Sequence, residues 1–101
     1  MNASLTEPKC DLNSAVKTAL KFFRKSFEPT GKLSNVQLEE IELSDDEKFW
    51  LITVGYDNPA AQDLIREKLL LARLVPTRKY KVVRVDADTG RPISIKIRPG
   101  V

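Results

Sequence analysis

The sequence predicts an α+β fold: one N-terminal helix packed on a four-stranded antiparallel sheet, with a short helix or loop between strands two and three. Three observations predict it. Leu12, Ala15, Val16, Ala19, Leu20, Phe23 and Phe27 recur at helical spacing and form one apolar stripe. The run FWLITVGYD puts Trp50, Ile52, Val54 and Tyr56 on one face at period two, with Phe49 and Leu51 on the other. Lys79 to Arg98, KYKVVRVDADTGRPISIKIR, holds two apolar-rich arms around the polar turn Asp86-Ala87-Asp88-Thr89-Gly90.

The elements follow in order. Residues 1–9 read as a polar, mobile lead. Asp11 or Asn13 can cap the helix, since a short side-chain oxygen accepts from free N–H groups of the first turn. Lys17, Lys21, Arg24 and Lys25 lie off the stripe and read as a solvated face, and Pro29-Thr30-Gly31 stops the helix. A strand over about 35–43 slips its apolar alternation by one at Glu39-Glu40, which predicts a bulge. A turn at 44–47 leads to a second strand over 48–56, apolar on both faces at its start and therefore central. Gly55 inside it predicts a bulge or the close approach of another backbone. Asp57-Asn58-Pro59 breaks that strand. Two readings then stay open for 60–74. One is a helix with Ala61, Leu64, Ile65 and Ala72 on one face, which the helix-forming composition favours; the other is a crossing loop whose LLLARLV is already strand. In the final hairpin Ile93, Ile95 and Ile97 alternate with Ser94, Lys96 and Arg98, one face buried and one wet, and a one-residue slip is expected at Val82-Val83.

Composition excludes several function classes. At 101 residues the chain reads as one domain spanning 1–101. With 42% hydrophobic and 31% charged residues it suits neither a membrane nor disorder. Its longest apolar run, Leu69 to Val75, is broken by Arg73 and falls far short of the ~20 residues of a spanning helix. The opening MNASLTEPKC lacks a basic-then-apolar export pattern, and a lone cysteine, Cys10, fits a reducing compartment; the expected address is the cytoplasm. Cys10 itself reads as an inert, semi-buried thiol. There is no histidine, which removes the commonest general acid–base residue and the commonest metal ligand. Asp86 and Asp88 open like a calcium loop, but the twelfth position from Asp86 is Ile97, not glutamate. The glycines, at 31, 55, 90 and 100, are isolated, so no phosphate loop is present. No catalytic residue, metal or cofactor is therefore expected, and the chain is not expected to be an enzyme.

Charge is uneven. Residues 1–35 hold six Lys/Arg against three Asp/Glu, residues 36–63 one against eight, and residues 64–101 ten against three. One reading pairs acidic and basic strands across the sheet. The other makes the basic C-terminal third a patch for an acidic protein partner. The candidate binding residues are Arg78, Lys79, Lys81, Lys96 and Arg98, which a hairpin turning at Asp86–Gly90 gathers at the far end of the sheet. The alternative partner is nucleic acid, held by the same cations, with Trp50, Tyr56 and Tyr80 as a stacking platform if they are not core. An exposed last strand offers an edge for a homodimer.

Tyr80, Val83, Val85, Asp86, Ala87, Thr89 and Gly90, with an echo in Phe49-Trp50-Leu51-Ile52-Thr53-Val54, carry a further signal. The order of helix, two strands, a variable segment and a hairpin turning through Val-Asp-Ala-Asp-Thr-Gly resembles PepSY-like and other cystatin-like small α+β domains. It is also similar to small bacterial proteins that end in K-Y-K-V…D-A-x-T-G…I-K-I-R. The resemblance implies one helix across a curved antiparallel sheet and a non-catalytic interaction role. PepSY domains are usually exported and linked to protease inhibition, whereas this sequence shows no export pattern.

Overall fold

The computed structural model describes residues 9–27, 29, 31 and 33–98, excepting the side chains of 71 and 72. The expected mobile lead, apart from Lys9, lies outside these residues, as does Thr30 of the expected helix stop. The elements are α1 (Leu12–Phe27), β1 (Gln37–Leu43), β2 (Phe49–Asp57), α2 (Pro59–Arg66), a 3₁₀ segment (Leu70–Leu74), β3 (Arg78–Asp86) and β4 (Pro92–Arg98). The strands form one antiparallel sheet in the order β1-β2-β3-β4. This is the α+β architecture the sequence predicts.

Asp11 is the cap: its Oδ1 accepts from the Ser14 N–H at 2.7 Å. The apolar stripe of α1 lies over β2, β3 and β4. Ala15, Ala19 and Phe23 pack there against Ile52, Val54, Tyr56, Val83 and Val85. Phe23 is fully buried, its ring centroid 4.8 Å from Phe27 and 5.6 Å from Tyr56. At the start of α1 the Cys10 N–H donates to the Ala87 carbonyl at 2.8 Å and the Trp50 indole N–H to the Cys10 carbonyl at 2.9 Å. These bonds tie the head of the helix to the turn end of the sheet.

Local details confirm some expectations and correct others. β1 starts at Gln37, not 35, because Asn35 has a φ of 52° and cannot extend the strand. The β1 bulge falls between Leu38 and Glu40, as the slipped alternation predicts. The slip expected at Val82-Val83 is absent. β3 pairs with β2 without interruption, so Tyr80 and Val82 lie on the face away from α1 and Val83 and Val85 beneath the helix. The hairpin irregularity instead lies between Arg84 and Val85, opposite an unpaired Ile93. Beside Gly55 the close neighbours are side chains, not backbone: a Cβ there would stand 2.3 Å from Glu39 Oε2 and 2.9 Å from Arg78 Nη2.

The segment after β2 is a helix, but a short one. Lys68, with a φ of 57°, breaks the chain after α2, so Ala72 belongs to the separate 3₁₀ segment and not to the face of Ala61, Leu64 and Ile65. Asn58, only 3% exposed, pins both ends of this arm. Its Oδ1 accepts from Ala60, its Nδ2 donates to the Pro76 carbonyl, and its backbone N–H donates to Thr77. No helix among the described residues is long and apolar enough to cross a membrane.

Candidate functional site

The structure brings the five predicted cations to one end of the sheet but divides them between its faces. Lys81 pairs with Val54 and Lys79 with Tyr56, so both lie on the helix side. Arg78, Lys96 and Arg98 lie on the opposite, open face. The expected single cluster is therefore two groups, and its two arginines are already engaged. Arg78 donates to Glu39 Oε2 at 2.7 Å, to Asp57 Oδ1 at 3.2 Å and to the Asn35 carbonyl at 2.7 Å. These carboxylates, Glu39 foremost, raise the Arg78 guanidinium further above its already high ordinary value. Arg98 donates to Glu40 and, at 2.8 Å, to Thr53 Oγ1. Glu39 and Glu40 stand on β1, so these two arginines follow the pairing of acidic and basic strands across the sheet that the uneven charge suggests. Arg78 reaches over Gly55 of β2 to Glu39 of β1, and Arg98, from β4, reaches over β3 to Thr53 of β2 and Glu40 of β1. Of the rest, Lys81 sits 5.6 Å from the centroid of the Phe27 ring, and Lys79 and Lys96 are exposed.

The aromatic platform does not form. Trp50 and Tyr56 lie under the helix, whereas Tyr80 is on the open face. Phe49, also on that face, is covered by Arg84, whose guanidinium carbon is 4.1 Å from the ring centroid.

The Asp86–Gly90 segment is a turn held by its own hydrogen bonds. Asp86 Oδ1 accepts from the Asp88 and Thr89 N–H groups at 2.7 and 2.8 Å, and Gly90 takes a φ of 77°. The Thr89 N–H, then that of Asp88, hold the Asp86 carboxyl below its ordinary value. Cys10 is half-buried beside it; desolvation, then the charges of Asp11 and Asp86, push its thiol up.

A second cationic feature is better placed to meet a partner. Because α1 covers β2, β3 and β4, a cleft of about 940 Å³ is left between the helix and the segment leading into β1. Its apolar wall is Leu20, Phe23, Leu33 and Val36. Lys17, Lys21, Arg24 and Lys25 line the same cleft, and no carboxylate does so among the described residues. None of the four forms an ion pair with a described residue. Glu28 lies outside those residues. The nearest acid on the helix, Asp11, is held low chiefly by its bonds to Ser14, with Lys17 a minor contributor. The sequence showed these cations, but with no sign of an apolar cleft behind them. Leu33 and Val36 reach it only through the chain reversal after α1.

Comparison with protein-family models, with curated proteins and with solved structures finds no match.

Proposed function

We propose that this chain is a small, non-catalytic protein-binding domain whose partner presents an acidic surface. The observation that carries this reading is the cleft beside α1, where four cations with no described ion-pair partner surround an apolar wall. A solvated lysine face needs no cleft. An apolar cleft with a rim of one sign attracts a partner of the opposite sign and gains area when that partner docks. The absence of histidine from the sequence and the likeness to cystatin-like interaction domains support a role without catalysis. The basic C-terminal third supports the reading less, since Arg78 and Arg98 are engaged within the fold.

The test is capture of partners from lysate by the wild-type chain, by Lys21→Glu/Arg24→Glu, and by Lys79→Glu/Lys96→Glu, each with and without nuclease. The reading expects nuclease-resistant capture of an acidic protein, lost in the first variant and kept in the second. Capture that disappears on nuclease treatment would point to nucleic acid instead. Capture that survives in the first variant and fails in the second would return the site to the sheet end.

A further inference from the structure

Building on the reading of the cleft as an acidic-partner site, we infer that its occupant is an amphipathic helix with one acidic face. Four candidate ligand classes fit a cationic apolar cleft, and the structure separates them. A fatty carboxylate brings one negative charge, whereas Lys17, Lys21, Arg24 and Lys25 present four positive ones. These cations run along two turns of α1, a span of ~12 Å at 1.5 Å per residue. A single strand gripped through its bases would stack them on exposed aromatic rings, and a duplex held through its phosphates alone gains nothing from an apolar wall. The apolar wall is aliphatic except for Phe23, which is fully buried.

An extended acidic peptide must pair its backbone groups or leave them desolvated against the apolar wall, which is costly. The walls supply few partners. The backbone of α1 is bonded within the helix up to the carbonyls of its last turn. In the other wall, the Ser34 and Asn35 carbonyls are occupied by the Asp57 N–H and the Arg78 guanidinium. The nearest free sheet edge is β1, where Glu42, unlike the arginine-paired Glu39 and Glu40, is left to repel an acidic strand. A helix brings its backbone already bonded. It can lay apolar residues on Leu20, Leu33 and Val36 and point carboxylates at the lysine row.

The experiment uses the full chain and two synthetic peptides of identical composition, rich in Leu, Glu and Ala. One places Leu and Glu on opposite faces at helical spacing; the other alternates them at period two. Affinity is measured at low salt by fluorescence anisotropy, and peptide helicity by circular dichroism. The helix-patterned peptide is expected to bind at least tenfold tighter and to gain helicity on binding. Lys17→Glu/Lys21→Glu, at exposed positions, should weaken it at least tenfold without lowering the melting temperature of the protein. Equal affinity for the two peptides would overturn the helical occupant while leaving an acidic partner in place. No binding of either peptide would overturn both readings. Dodecanoate or a single-stranded oligonucleotide binding more tightly than the helix-patterned peptide would assign the cleft to that ligand instead.

Discussion

Truncation of Phe23 to alanine probes the packing on which the cleft depends. Phe23 is fully buried, touches the Phe27 and Tyr56 rings, and backs the cleft wall. Removing a buried phenylalanine ring costs about 3–5 kcal/mol, from lost transfer free energy and the cavity left behind. A domain of this size has a total stability of about 5–15 kcal/mol. At roughly 4–8 °C per kcal/mol, the melting temperature should fall by about 12 °C or more. Thermal and urea melts followed by circular dichroism measure this, and an unchanged urea slope would show that the unfolded state is not the cause. Leu74→Ala is the control: Leu74 is 80% exposed, and its truncation should stay within about 0.5 kcal/mol. A Phe23→Ala protein melting within about 2 °C of wild type would refute the seating of α1 on the sheet, and with it the cleft.

Two further outcomes test the roles given to individual charges. Arg98→Ala should cost about 1 kcal/mol, because it leaves Glu40 and Thr53 without their shared donor, whereas exposed Lys96→Ala should stay within about 0.5 kcal/mol; equal effects in urea melts would contradict the bridge across β2. The Asp86 carboxyl is depressed in the fold below 3.8, so its contribution is present above that value and is lost as pH falls through the lower folded value. Asp86→Asn, which keeps the oxygen acceptor but cannot titrate, should flatten the acid limb of stability against pH below about 4, and an unchanged acid limb would show that the turn is not held by the charged form.

Periodicity carried most of the fold. The α1 stripe and the apolar run of β2 fix their elements through burial, which leaves a regular trace in the residues; the alternation in β4 marks a strand, but only Ile95 packs on the core, Ile93 and Ile97 being 49% and 78% exposed instead of buried as the alternation predicts. Boundaries were less legible where backbone conformation decides them: Asn35 and Lys68 take positive φ, which asparagine favours more than most residues but lysine does not announce. The apparent slip at Val82-Val83 misled because an apolar residue on the open face can be sheltered by a neighbouring long side chain, as Phe49 is by Arg84. The site was the least legible part. Whether a cation is free depends on what lies across the sheet, and the acids that engage Arg78 and Arg98 stand 39 and 58 residues away. The cations of α1 were visible as a polar face, but the cleft beside them arises from where the helix sits on the sheet, which no local spacing encodes.

Docking of an acidic partner in the cleft beside α1 is open to direct measurement. Backbone amide shifts recorded during titration with the helix-patterned acidic peptide test it most directly. Saturable shifts centred on residues 17–25 and 33–36, collapsing as salt screens the lysine row, are expected. Shifts confined to the sheet end around Arg78, Lys79, Lys96 and Arg98, with α1 unmoved, would contradict it.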